Sequence, residues 1–250
     1  MTISRADLAI DTGKIVDDLN DKGIVCIERF FSRDWLSHAQ QDVRSAIERH
    51  GEKYFSVVLP GNAKGTAASE LIRDERLRAL LRSVTEAVCE QPNAEEIYNV
   101  LRVIAGPDGS KGSLEFHYDA SVISALAPVF MPEHSENSGA LVTFANRRPL
   151  RRFVLANVIE KIIMQNRFYR QRQARVVYSD PDKFTQYLVP GNLYLFWGYR
   201  TFHGNLPCAP HSLRATILLH YGNPHGNSIL LKGIRAARRL VEAVRRRKSE

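Results

Sequence analysis

Only three cysteines occur in 250 residues, Cys26, Cys89 and Cys208, and no two of them form a C-x-x-C pair. Neither a disulfide framework nor a structural zinc site is available to hold the fold, and such sparse usage suits a reducing compartment. Long apolar runs are also missing; none approaches the length of about 20 residues that a membrane-spanning helix needs. The opening Met1-Thr2-Ile3-Ser4-Arg5-Ala6-Asp7 lacks the apolar core of a signal peptide. Internal repeats and low-complexity segments are absent as well. These absences predict a cytoplasmic protein whose fold rests on an ordinary hydrophobic core.

Composition supports that core. The chain is 44% hydrophobic and 25% charged, which is globular rather than disordered, and its length suits one domain. The net charge of +8 is concentrated in two blocks: residues 147–175 carry nine Lys/Arg against one acidic residue, and residues 232–250 carry eight against two. Residues 233–248 place Ile234, Ala237, Val241 and Val244 on one stripe of a basic amphipathic helix. The blocks predict peripheral contact with an anionic membrane face, or a lipid-linked or phosphate-bearing substrate, beside the plainer expectation of a small-molecule substrate and a solvated tail. Two alternatives are a non-catalytic jelly roll that binds metal or ligand without turnover and, suggested by the basic balance, a nucleic-acid oxidative demethylase. The demethylase is disfavoured because the positive charge avoids the strands described below and no aromatic platform for bases is evident.

The order of elements is helical first, then β. Ile24 to Glu28 predicts a strand, Ser32 an N-cap for a helix from about Asp34 to His50, and residues 69–90 a second helical pattern. From Ile97 the period switches to two. Strands are predicted at 97–104, 114–119, 121–127, 140–145, 175–179, 192–197 and 213–221. Such a series after a helical third predicts a mainly β protein with α-helices, a jelly roll braced by N-terminal helices. The jelly roll would occupy 1–231 and the basic helix 232–250. Within 147–175, Leu155, Val158, Ile159, Ile162 and Ile163 give one apolar helix face, an insertion that would either pack outside the barrel or lean over its mouth.

The chemistry-bearing residues lie on those strands. In extended backbone His117 and Asp119 point to one side, and His203 follows 84 residues after Asp119 in a Gly-flanked turn. Two imidazoles and one carboxylate form the facial triad that holds non-haem Fe(II) with open positions. Arg214 lies in the apolar run Leu213-Arg214-Ala215-Thr216-Ile217-Leu218-Leu219, where a guanidinium needs an anion and a carboxylate is its best bidentate match. The other six histidines have no comparable partners and read as surface or core residues, although His220 shares a strand face with Arg214 and Thr216. Tyr118 points away from the ligands and reads as packed.

From about Gly23 to Tyr221 the chain resembles the Fe(II)/2-oxoglutarate dioxygenases, most closely the phytanoyl-CoA dioxygenase-like branch. The resemblance rests on four segments: Asp21 to Phe31, Phe116-His117-Tyr118-Asp119, Asn137 to Phe144, and Pro190 to Trp197 followed by His203-Gly204-Asn205 and Arg214-Ala215-Thr216. Ala145-Asn146-Arg147-Arg148 departs from the family's P-G-S-H turn. The resemblance implies the double-stranded β-helix, Fe(II) on His117, Asp119 and His203, and 2-oxoglutarate held at its far carboxylate by Arg214 with help from Thr216. Asn99 and Arg102 are further candidates for cofactor or substrate contacts. It also implies hydroxylation with release of succinate and CO2, and the presence of Asp119 favours this over halogenation; desaturation and ring formation stay open. Loops 51–68, 128–138 and 147–175 would shape the substrate pocket.

Overall fold

Alternation along the strands decides the architecture. On β9 (Arg214–Tyr221), Ala215, Ile217, Leu219 and Tyr221 belong to the main hydrophobic core, whereas Arg214, Thr216 and Leu218 line a pocket on the other face. The same split runs through β4 (Ile123–Phe130), with Ile123, Ala125, Ala127 and Val129 outward and Ser124 and Leu126 inward. One period-two pattern therefore makes two cores. The computed structural model describes residues 10–59, 65–89, 97–133, 137–148 and 167–222.

Among the described residues, six strands form the larger sheet in the order β1-β7-β4-β9-β3-β2, and three form the smaller in the order β6-β5-β8. The remaining strands are β1 (Ile24–Ile27), β2 (Phe55–Leu59), β3 (Tyr98–Ile104), β5 (Leu141–Phe144), β6 (Thr185–Gln186), β7 (Leu193–Trp197) and β8 (Phe202–Asn205). All pairings are antiparallel. The inner faces of the two sheets meet through Leu126, Leu141, Tyr194 and Phe196. This is the predicted jelly roll.

Helices α1 (Thr12–Asp21), α2 (Arg33–His50), α3 (Ala67–Arg73) and α4 (Glu75–Glu86) cover the outer face of the larger sheet. Ser32 caps α2 as predicted, accepting from the Trp35 backbone N–H at 3.2 Å. The helical pattern over 69–90 forms two helices. Asp74 adopts extended backbone and its carboxylate accepts the Leu77 N–H at 2.8 Å, so one residue ends α3 and caps α4. A short acidic side chain that competes for backbone donors breaks a helix whose apolar spacing alone looks continuous.

Other departures have equally local causes. Residues 175–179 are not a strand but the end of helix α5 (Arg167–Ser179), followed by the short α6 (Pro181–Phe184). Tyr169, Gln173 and Val177 recur every four residues, and Gln173 and Val177 are buried; this tertiary contact overrides the β propensity of Val176-Val177. The described part of the insertion thus packs on the outside of the smaller sheet, against Phe144 and Phe202. Residues 114–119 make only a single bridge, His117 with His203: Leu114 turns at positive φ, and by Asp119 the backbone is bonded to Gly198, beyond β7. His203 is in β8 rather than in a turn. Gly204 serves close packing, since a Cβ there would stand 2.9 Å from the Phe116 ring. The apolar helix face at 155–163 and the basic helix of 232–250 lie outside the described residues, and no described helix is long and apolar enough to cross a membrane.

Trp35 ties the helical layer together. It is fully buried, stacks on Phe31 at 4.3 Å between centroids, and donates from Nε1 to the Ala67 carbonyl at 3.1 Å. Trp35→Ala should lower unfolding free energy by about 3–5 kcal/mol, the usual cost of emptying a large aromatic site. Urea unfolding measures this, and a loss under about 1 kcal/mol would show that the layer closes over the gap.

Candidate metal and dicarboxylate site

The ligand segment crosses from one sheet to the other. His117 exchanges two backbone hydrogen bonds with His203, at 2.9 and 3.0 Å, and so belongs to the smaller sheet. Two residues on, the Asp119 N–H donates to the Gly198 carbonyl at 2.9 Å, just past the end of β7 in the larger sheet. This crossing brings the three side chains together at the open end between the sheets. His117 Nε2 lies 3.5 Å from Asp119 Oδ1, and His203 Nε2 lies 3.5 Å from Asp119 Oδ2. All three offer a ligand atom within 4.8 Å of one another.

Both imidazoles are oriented from behind. His117 Nδ1 lies 2.8 Å from the Glu115 carbonyl and His203 Nδ1 lies 3.1 Å from the Thr201 carbonyl. A carbonyl can only accept, so each Nδ1 carries a proton and each Nε2 is the nitrogen turned toward Asp119 and open to a metal. Phe196 packs on the His203 ring at 4.6 Å between centroids. Tyr118 points the other way, onto Phe202 and under the Arg148 guanidinium.

Charge states suit a cation. Burial pushes the Asp119 pKa up, but His203, His220 and His117 outweigh it and hold the carboxyl well below the usual carboxylate range. Burial lowers His203 to about 4 against the pull of Asp119, leaving a neutral imidazole at neutral pH. At His117 burial also works downward, yet the Asp119 hydrogen bond and charge prevail and the pKa is raised. An ionised carboxylate and a neutral imidazole are the ligand forms that a divalent metal takes. Two nitrogens and one carboxylate oxygen on one side fit non-haem iron.

The pocket beneath is lined by His117, His203, Asn205, Arg102, Arg214 and Thr216 among others. Arg214 is 3% exposed and donates from Nε to the Gly139 carbonyl at 2.9 Å, while its Nη1 is buried without a partner among the described residues. Burial brings its pKa down to about 10, so it is still a cation at neutral pH. A buried guanidinium nitrogen with no acceptor fits an anion from outside the chain. Thr216 is two residues on along the same face of β9, and Arg102 is its direct partner on β3. Asn99 goes elsewhere: it shares the face of β3 that carries Leu101 and Val103 into the main core, away from the pocket.

Some site residues escaped the sequence reading. Asn205 lines the pocket from the same strand as His203. Ser124 donates to Asp119 Oδ2 at 2.5 Å, and His220 Nδ1 lies 3.5 Å from the same oxygen. A serine in the apolar run Val122-Ile123-Ser124-Ala125-Leu126 and the His220 register with Arg214 were the available signals. The Ala145 to Arg148 stretch serves packing. Asn146 turns at φ 49° and donates to the Leu19 and Asn20 carbonyls, and Arg147 lies over Phe144 at 4.1 Å.

The chain matches no known family profile, and no curated protein matches its sequence. Among solved structures it is similar to a prolyl-4-hydroxylase of Pseudomonas putida, with TM-score 0.52 and 14% identity, covering 88% of this chain and 97% of that one. A prolyl 4-hydroxylase of Phytophthora capsici gives TM-score 0.55 and 15% identity over 88% of this chain and 68% of that one. A Trichoplax adhaerens prolyl hydroxylase, in complex with a peptide fragment of the hypoxia inducible factor oxygen degradation domain, gives 0.53 and 14% over 85% and 89%. The chain therefore shares the jelly-roll fold of these hydroxylases. Membership of the phytanoyl-CoA dioxygenase-like branch is a reading of the sequence motifs alone.

Gly139 tests the packing around Arg214. Its φ is +68°, and a Cβ would stand 2.4 Å from Cys208 Sγ and 2.6 Å from Arg214 Cδ. Gly139→Ala should cost about 1–3 kcal/mol in thermal or urea unfolding, from backbone strain and the displaced arginine. Wild-type stability would mean that Arg214 is not wedged as described.

Proposed function

We propose that this protein is an Fe(II)- and 2-oxoglutarate-dependent oxygenase that hydroxylates an organic substrate. The observation that carries the reading is one pocket lined by His117 and His203, which cluster with Asp119, and by a buried guanidinium whose Nη1 has no partner among the described residues. His117, Asp119 and His203 would hold the iron. When bound, Fe(II) with 2-oxoglutarate supplies dioxygen activation and substrate oxidation, with succinate and CO2 as products.

The chain's own residues position and enclose. Arg214 would pair with the far carboxylate of 2-oxoglutarate through Nη1, its Nε already fixed on Gly139. The Thr216 hydroxyl would add a neutral hydrogen bond on the same face, and Arg102 beside it would add positive potential. Leu126, Leu141, Phe196 and Leu218 form apolar walls that exclude water and strengthen each of these charge contacts. The substrate would approach from the open end, where His117 has 45% of its side chain exposed.

The peptide substrate named for the Trichoplax protein belongs to that protein, and the proposal for this chain stays at the level of an organic molecule. A basic docking face draws little from Arg147 and Arg148. Arg147 lies on Phe144 and donates to the Gln173 side chain; Arg148 lies on Tyr118 and donates to the Tyr199 carbonyl. They act as internal pins.

Succinate formation from 2-oxoglutarate, followed with and without Fe(II), tests the reading. His203→Ala should abolish it, since two ligands no longer make a facial triad. Arg214→Ala should weaken 2-oxoglutarate binding roughly 30- to several-thousand-fold, the equivalent of about 2–5 kcal/mol for a broken buried charge pair. Thr216→Ala should cost about 1 kcal/mol, one neutral hydrogen bond. Full activity in His203→Ala, or unchanged affinity in Arg214→Ala, would refute the corresponding assignment.

A further inference from the structure

Behind the Asp119 carboxylate lie three polar side chains that neither metal ligation nor dicarboxylate binding uses. Ser124 projects from the inner face of β4, directly paired with His220 of β9. Its Oγ lies 3.1 Å from Ser121 Oγ, and both hydroxyls lie 3.3 Å from His220 Nδ1. The three atoms close a triangle, and its outlet is the 2.5 Å hydrogen bond from Ser124 to Asp119 Oδ2. Ser124 is 1% exposed and Ser121 7%, so water does not substitute for these partners.

The same cluster holds the Asp119 backbone. Gly198, whose carbonyl accepts the Asp119 N–H, comes so close that a Cβ on it would stand 2.6 Å from Ser124 Oγ and 2.8 Å from Ser121 Oγ. Gly198 has ordinary negative-φ backbone. Space between the two hydroxyls, rather than conformation, is what requires glycine here. Main chain and carboxylate of one residue are therefore gripped by one small set of atoms.

A free carboxylate next to two imidazoles can offer a metal either oxygen, or both. A short charge-assisted hydrogen bond occupies one of the two lone pairs of Oδ2, makes that oxygen the poorer donor to a cation and fixes the plane of the group. Oδ1, 3.5 Å from His117 Nε2, is then the freer oxygen for a cation. A hydroxyl on an otherwise apolar inner strand costs desolvation unless it is bonded, and here its acceptor is the ligand itself.

We propose that Ser124, backed by Ser121 and His220, is a positioning residue that holds Asp119 for one-oxygen metal ligation through Oδ1. This rests on the metal-site reading above. The test uses the full chain, with Mn(II) affinity from calorimetry and the ligand-field spectrum of bound Co(II). Ser124→Ala should weaken Mn(II) binding roughly 10–100-fold, as losses of hydrogen bonds behind metal ligands do, and alter the Co(II) spectrum at an unchanged unfolding midpoint. His220→Phe keeps a ring against Tyr98 but removes Nδ1, and should shift both readouts the same way by less. If Ser124→Ala does not fold, His220→Phe and Gly198→Ala carry the test. Wild-type affinity and spectrum in the folded variants would overturn the positioning role and leave the metal site standing. Failure of the wild-type chain to bind either metal would overturn the metal-site reading, and this inference with it.

Discussion

The passage of residues 117–119 from the smaller sheet to the larger is the constraint on which the site depends. His117 is bonded through its main chain to His203, and Asp119 through its N–H to Gly198, so the three side chains converge because two sheets are pinned to one short segment. A jelly roll opens where its sheets diverge, and there a ligand segment can belong to both. The outer layers serve that arrangement. The α1–α4 layer braces the back of the larger sheet, and α5 with its aromatic cluster braces the back of the smaller. Neither layer supplies a ligand. Both keep the pinned ends from drifting.

Electrostatics then divides the inner cavity. A carboxylate gathers three imidazoles at the open end, while Arg214 places a cation in the closed part with one nitrogen unpartnered. The first arrangement attracts a cation and the second an anion. A molecule chelating the metal at one end and carrying a carboxylate at the other would satisfy both, and apolar side chains between them raise the strength of each contact. Buried charges are costly when left alone, and each here points to a ligand of opposite sign.

Much of this arrangement was legible in the sequence. Period-two alternation in Arg214-Ala215-Thr216-Ile217-Leu218-Leu219-His220 gave the inner face of β9 directly, because a strand buried on both sides still has to sort its polar residues to one. The H-x-D spacing gave the pair at 117 and 119. Other features depend on contacts between distant segments. Asp74 splitting a helix, Val177 docking as helix, and Gly204 admitting the Phe116 ring are decided by partners that local pattern does not name. Asn99 and Arg102 looked alike in sequence, yet three residues apart on a strand they face opposite cores. The edge strand β2 lies within the 51–68 loop expectation, and Ser124 shows in the sequence only as one polar residue in the run Val122 to Leu126, with nothing to name Asp119 as its acceptor.

Anaerobic titration shows whether a metal and a 2-oxo dicarboxylate meet in this pocket. Fe(II) would be added to the purified chain without oxygen, followed by 2-oxoglutarate, while visible absorbance is recorded. A new charge-transfer band should appear that needs both additions, saturates at one equivalent, and fails to form with Asp119→Ala. Absence of the band in the wild-type chain with both present, or an identical band in the Asp119→Ala variant, would contradict it.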